Sequence, residues 1–249
     1  MILLFDIGNT HTHVGLANSR RVLRHTNIPT ASWTGGEARA ALERFIGRSR
    51  IEGAALCSVV PTKTPKIIAA FARLSAGICV ELTHQTKTGV AIDYPRPETV
   101  GADRLANAVA AMAHHGAPSV VVDFGTAVTF DVVNRQGAYV GGVIAPGISA
   151  MTDYLHEKTA LLPRVKIRDT KAVIGKNTEQ AMQIGAVHGY RGLVREIISE
   201  IKLELKSRKL PVIATGGCAR LIAKGLPEIT AVDPLLTLEG LRLVWTRRQ

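Results

Sequence analysis

The chain has 249 residues, 46% hydrophobic and 20% charged, enough to bury a sizeable core and too apolar for a disordered protein. Only 4% is aromatic, so the core is expected to come from Leu, Ile, Val and Ala, in strands covered by helices of an α/β class. The net charge is +11, but the basic residues are scattered without interleaved aromatic rings, so nucleic acid is not expected as a partner.

In chain order, strands are expected at Met1 to Asp6, Thr12 to Ala17 and Arg21 to Asn27. Helical apolar spacing follows over Gly36 to Gly47, then a strand at Ala54 to Val59, a helix at Thr64 to Leu74 and a strand at Ile78 to Glu81. This is a βββαβαβ order. A polar, turn-rich segment from Thr83 to Arg104 leads to an Ala-rich helix, Leu105 to His114, that stops at Gly116-Ala117-Pro118. Strands are then expected at Ser119 to Phe124, Ala127 to Asn134 and Tyr139 to Ala145, followed by helices at Ser149 to Thr159 and Thr178 to Lys206. The small residues Ala181, Gly185, Ala186, Gly189 and Gly192 of the long helix suit close packing on a neighbour.

The two halves begin alike. Leu3-Leu4-Phe5-Asp6-Ile7-Gly8-Asn9-Thr10 and Val121-Val122-Asp123-Phe124-Gly125-Thr126 are each an apolar strand, Asp, any residue, Gly and a hydroxyl, with a second strand behind, about 117 residues apart. A tight turn of this kind presents backbone N–H groups and a hydroxyl to phosphate oxygens, and the strand-end carboxylate suits a cation or its waters. A third glycine element, Thr215-Gly216-Gly217, joins a strand from Pro211 to Ala214 to a helix starting at Cys218. Gly175-Lys176-Asn177-Thr178 lacks the upstream glycine of a P-loop, which excludes that reading. Cys57, Cys79 and Cys218 have no C-x-x-C spacing and suggest neither a disulfide framework nor zinc. No apolar run reaches the roughly 18 residues of a membrane span, so a cytoplasmic protein with no membrane partner is expected.

With those three elements in order the chain resembles the actin/hexokinase/Hsp70-like ATPase superfamily. Thr99-Val100-Gly101-Ala102-Asp103-Arg104, Ile144-Ala145-Pro146-Gly147-Ile148, Gly175-Lys176-Asn177-Thr178 and the segment Asp233 to Leu241 narrow the resemblance to type III pantothenate kinase, from residue 1 to about residue 244. The fold implied is two similar ribonuclease H-like or actin-like lobes, each a mixed βββαβαβ-type sheet with flanking helices, facing across a nucleotide cleft. The lobes are expected at residues 1–114 and 115–249.

The resemblance implies transfer of the γ-phosphoryl group of ATP to the primary hydroxyl of pantothenate, giving 4'-phosphopantothenate at the start of coenzyme A biosynthesis. It further implies Mg2+ with ATP, a monovalent cation (K+ or NH4+), and a homodimer with the substrate site at the subunit interface. Asp6, Ile7, Gly8, Asn9, Thr10, His11, Thr12 and His13 would surround the ATP phosphates, Asp6 near the magnesium, with Thr126 also touching ATP. Asp103 would be the catalytic base. Tyr94, Gly101, Ala102, Asp103 and Arg104 would bind pantothenate, joined by Thr178 from the opposite subunit, and Asp123 would hold the monovalent cation. His11-Thr12-His13 departs from the family pattern, since two largely neutral imidazoles anchor phosphate less well than a lysine. The alternative is a regulatory protein on the same scaffold, non-catalytic or dual-role, acting through a partner or nucleic acid.

Overall fold

The computed structural model describes residues 1–207 and 209–248; Gln249, the last residue of the expected second lobe, lies outside the described residues. The elements run β1 (Ile2–Ile7), β2 (His11–Ala17), β3 (Val22–Pro29), α1 (Glu37–Ile46), β4 (Gly53–Ser58), α2 (Thr64–Ala72), β5 (Ile78–Glu81), β6 (Ala91–Ile92) and α3 (Ala102–His115). They continue with β7 (Ser119–Phe124), β8 (Ala127–Val133), β9 (Ala138–Pro146), α4 (Ile148–Lys158), α5 (Thr178–Glu204), β10 (Val212–Thr215), α6 (Ala219–Ala223), β11 (Ala231–Val232) and α7 (Leu236–Arg247). The chain forms two compact units. The first is Met1–Gly116 with Gly137–Val140 and Leu235–Gln249, and the second is Ala117–Gln136 with Gly141–Pro234.

In the first unit the strand order is β3-β2-β1-β4-β5, with β1, β2 and β3 antiparallel and β4 and β5 parallel to β1. Side chains alternate across such a sheet, so each strand supplies two faces. Leu3, Phe5, Ile7, Val14, Leu16, Ile28 and Leu56 point to one face and are buried with Leu42 and Ile46 of α1 and Ile67 and Phe71 of α2. Leu4, Gly15, Gly53 and Ala55 belong to the other face, over which α7 and α3 pack. There the strands carry glycine because the helix is close: a Cβ on Gly53 would lie 1.8 Å from the Trp245 ring, and one on Gly15 would lie 3.2 Å from Leu238. Gly240 of α7 in turn rests on the backbone of Ala106 in α3, and the Thr237 hydroxyl donates to Asn107 Oδ1 at 2.8 Å. β6 pairs with Ala138 and Tyr139 at the start of β9.

The second unit repeats the plan, with strand order β9-β8-β7-β10-β11, β7 antiparallel to β8 and parallel to β10. The repeated Asp-x-Gly turn therefore reflects repeated topology. The chain is of the mixed α/β class that the two starts imply. Asp131, on β8, is fully buried within this unit. The buried Arg191 of α5 donates to the carbonyls of Leu221 (2.8 Å) and Ile222 (3.3 Å) at the end of α6, and its ion pair with Asp169 at 3.0 Å balances the charge.

Three expected boundaries differ. α3 begins at Ala102 rather than Leu105, because Gly101 takes an extended N-cap conformation and the next three residues already turn. β3 runs on past Asn27 to Pro29, because Ile28 and Pro29 still pair with Thr12 and His11 of β2, and β9 runs on to Pro146. Among the described residues no helix is long and apolar enough to cross a membrane.

Candidate active site

The first turn follows from strand register. Ile7 and Thr12 are the last cross-strand pair of β1 and β2, and the Gly8 N–H donates to the His11 carbonyl at 3.1 Å to close the loop. Asn9, Thr10 and His11 at its tip are exposed, whereas Ile7 and Thr12 are buried. Asp6 sits one step back. It lies opposite His13 on β2 and Cys57 on β4, so His13, Asp6 and Cys57 form a row on the face that α3 and α7 cover. The fully buried Cys57 thiol donates to Asp6 Oδ1 at 3.5 Å.

Asp103 stands in the first turn of α3. Its negative charge joins that of Asp6 in holding the Cys57 thiol up, after burial, which is the larger cause. Burial also raises the Asp103 carboxyl above the usual carboxylate range, against the opposing pull of the Arg104 N–H, which donates to Oδ1 at 2.8 Å, and of the Arg104 charge. The charges of two carboxylates thus act on one buried thiol. His13 is pushed below its ordinary value by burial and then by the neighbouring His11 and His25.

The rest of the predicted substrate segment gathers beside it. The Arg104 guanidinium lies over the Tyr139 ring, 5.8 Å from its centre, and the Tyr94 ring meets Tyr139 edge to face at 6.4 Å. The Asp93 N–H donates to the Tyr139 carbonyl at 2.9 Å, which fixes the chain just before the exposed Tyr94. Gly101 and Ala102 are the N-cap and first residue of α3. Tyr139 and Cys57 were not among the expected site residues. No local signal marks them: Cys57 meets Asp6 through a parallel pairing across the sheet, and Tyr139 reads as an ordinary strand aromatic.

A separate group stands in the second unit. Asp123 on β7 pairs in register with Thr215 on β10, which brings the Thr215-Gly216-Gly217 turn beside it. Gly216 has φ +88°, and a Cβ there would lie 2.5 Å from Asp123 Oδ1. Thr126 is exposed on the β7–β8 turn, and Gly147 packs on that turn from behind, its N–H donating to the Thr126 carbonyl at 3.1 Å. Gly147 must be glycine, since a Cβ would lie 2.3 Å from that same oxygen. Thr178 belongs to neither group. It opens α5, where the Asn177 side chain accepts from the Gln180 N–H at 2.9 Å and Gln180 Oε1 accepts from the Lys176 N–H at 2.9 Å. It lines a cavity of about 400 Å³ with Met151, Leu155, Met182 and Ala186.

Residues 2–200 match the family model described as type III pantothenate kinase. The chain belongs to the type III pantothenate kinases. A type III pantothenate kinase from Methylacidiphilum infernorum is 44% identical over 98% of this chain and 87% of its own length. One from Akkermansia muciniphila is 46% identical over 97% of this chain and 96% of its own. The fold is also that of a ROK hexokinase from Thermus thermophilus, at 15% identity, TM-score 0.52, and coverage of 98% of this chain and 97% of that one. The pantothenate kinase reading of the sequence and its actin/hexokinase-like fold class thus agree with these relatives.

Proposed function

We infer that the protein transfers the γ-phosphoryl group of ATP to the primary hydroxyl of pantothenate, at the start of coenzyme A biosynthesis, with Asp103 as the base. The observation that carries this assignment is the family match over residues 2–200, with Asp6 hydrogen-bonded to the buried Cys57 thiol and the Asp103 charge acting on that same thiol. One carboxylate lies at the end of a phosphate-type turn and the other on the segment that carries Arg104, so phosphate and acceptor chemistry meet.

In this reading the pantothenate hydroxyl donates its proton to an Asp103 carboxylate oxygen as its own oxygen bonds to the γ-phosphorus. The bond from that phosphorus to the β-γ bridging oxygen breaks, and ADP leaves. Burial makes Asp103 a stronger base than a surface carboxylate, while the Arg104 N–H and charge oppose that rise. Arg104 and Tyr94 hold the pantothenate, whose carboxylate suits a guanidinium. The turn at Gly8 to Thr10 serves the phosphates, and Thr126 is a further proposed ATP contact.

A divalent ion neutralises developing phosphate charge in such transfers. Among the described residues no three His, Cys, Asp or Glu side chains gather as a metal group. Magnesium takes one or two carboxylates with phosphates and water; Asp6 would be the carboxylate here. Asp123, with no room for a side chain at Gly216 beside it, is the proposed holder of the monovalent cation. The exposed Tyr154, Leu155 and Met151 of α4, next to the cavity that Thr178 lines, support a homodimer in which Thr178 serves the partner's pantothenate.

The test is ADP release from Mg-ATP in potassium buffer, with and without pantothenate, together with detection of 4'-phosphopantothenate. Pantothenate-dependent ADP with matching product is expected. Its absence from folded protein would overturn the assignment. Replacing potassium with sodium should lower the rate, and equal rates in both would remove the cation role of Asp123.

A further inference from the structure

Thr30 lies outside every segment assigned a role above, yet it ties down the first turn. It opens a short 3-10 turn, Thr30–Thr34, after β3 and is 1% exposed. Its N–H donates to the Thr10 carbonyl at 3.0 Å and its hydroxyl donates to the Gly8 carbonyl at 2.7 Å. One residue thus takes the carbonyls at both ends of the Gly8-Asn9-Thr10 turn.

The hydroxyl has a single proton, and it is spent on Gly8. The Thr12 hydroxyl, 3.1 Å from Thr30 Oγ1, is therefore the donor in that contact. Thr12 Oγ1 in turn accepts from the Trp33 indole N–H at 3.0 Å. A directed chain results, from Trp33 to Thr12 to Thr30 to the Gly8 carbonyl, with every proton assigned. Thr12 is 0% exposed and Trp33 5%, and the indole is held edge-on by the Phe5 ring at 6.4 Å. Water is excluded, so these bonds are not exchanged for hydration, and the loss of one strands a buried partner.

Backbone carbonyls repel phosphate oxygens. Drawing both carbonyls of the turn into the protein removes that repulsion from its outer side and sets the loop before nucleotide arrives. We propose that Thr30, held by Thr12 and Trp33, is a positioning residue for ATP: it fixes the first phosphate turn in its binding shape without touching the nucleotide. The proposal rests on the reading that this turn holds ATP phosphates.

Thr30→Val keeps the shape and the N–H and deletes only the hydroxyl. It is expected to raise KM for ATP about tenfold, a loss of the size expected for one buried hydrogen bond, with KM for pantothenate changed less than about twofold. Thr30→Ser restores the hydroxyl and should recover ATP affinity. Ser32→Ala, in the same 3-10 turn, removes a hydroxyl that donates to the Pro29 carbonyl and should change neither constant. If Thr30→Val fails to fold, Trp33→Phe removes the N–H at the far end of the chain, with part of the buried ring, and should raise KM for ATP about two- to threefold. Calorimetric binding of Mg-ATP without pantothenate reads the turn even if the assigned acceptor is wrong. An unchanged ATP dissociation constant in folded Thr30→Val, or equal weakening toward ATP and pantothenate, overturns the proposal.

Discussion

Gly216 stands against the Asp123 carboxylate so closely that a methyl group at its Cα would lie 2.5 Å from Oδ1 and 2.7 Å from the backbone of Phe124. The contact joins the second Asp-x-Gly turn to the Thr-Gly-Gly turn. Gly216→Ala meets both this crowding and a φ of +88° that side chains rarely adopt. It should cost about 1–3 kcal/mol of stability, measured by urea unfolding. A change within about 0.5 kcal/mol would show that the second unit relaxes around the site.

Asp103→Asn keeps the acceptor oxygen and the first turn of α3 but cannot take a proton at pH 7. Turnover should fall by about 10²-fold or more with KM for ATP nearly unchanged, within the range of general-base contributions. Turnover near that of the unsubstituted enzyme would remove Asp103 from the chemistry.

The pH profile checks the same carboxyl independently. Burial raises its pKa, so the ionised form that accepts the proton is lost on acidification sooner than for a surface aspartate. Activity should be full above the raised pKa and decline as pH falls through it, with an acid limb of kcat/KM for pantothenate above the ordinary carboxylate range. A limb at or below that range would show that the substrate-free enzyme holds Asp103 in a wetter setting.

Arg104→Lys retains charge but loses the planar group that lies on Tyr139 and forks to a carboxylate. KM for pantothenate should rise about tenfold while KM for ATP stays within about twofold. Equal rises in both would move Arg104 to the phosphates.

Trp245 fills the space left by Gly53 on β4 and is 4% exposed. Trp245→Ala should cost about 3–5 kcal/mol, seen as a lower urea midpoint without a change in slope. A loss below about 1 kcal/mol would mean that α7 adds little to the first unit.

Much of this was legible in the residues. The Asp-x-Gly turns are local, since apolar alternation ends at an acid and a glycine within a few positions, and both hairpins stand where that pattern puts them. Asp103 was legible as a residue near a helix start, although the helix already includes it because Gly101 supplies the N-cap. What pairs across long separations was not. Cys57 meets Asp6 only because β4 lies parallel to β1, and Trp33 meets Thr12 only after β3 has turned back. The return of α7 to the first sheet was also hidden, because its apolar spacing does not say which face receives it.

That return has a consequence for synthesis. β1, β4 and α3 leave the ribosome early, but the helix that covers Leu4, Gly15 and Gly53 is made only after the whole second unit. Until then α3 alone covers part of that face, and the nascent first unit keeps the apolar surface that α7 will bury open to chaperones.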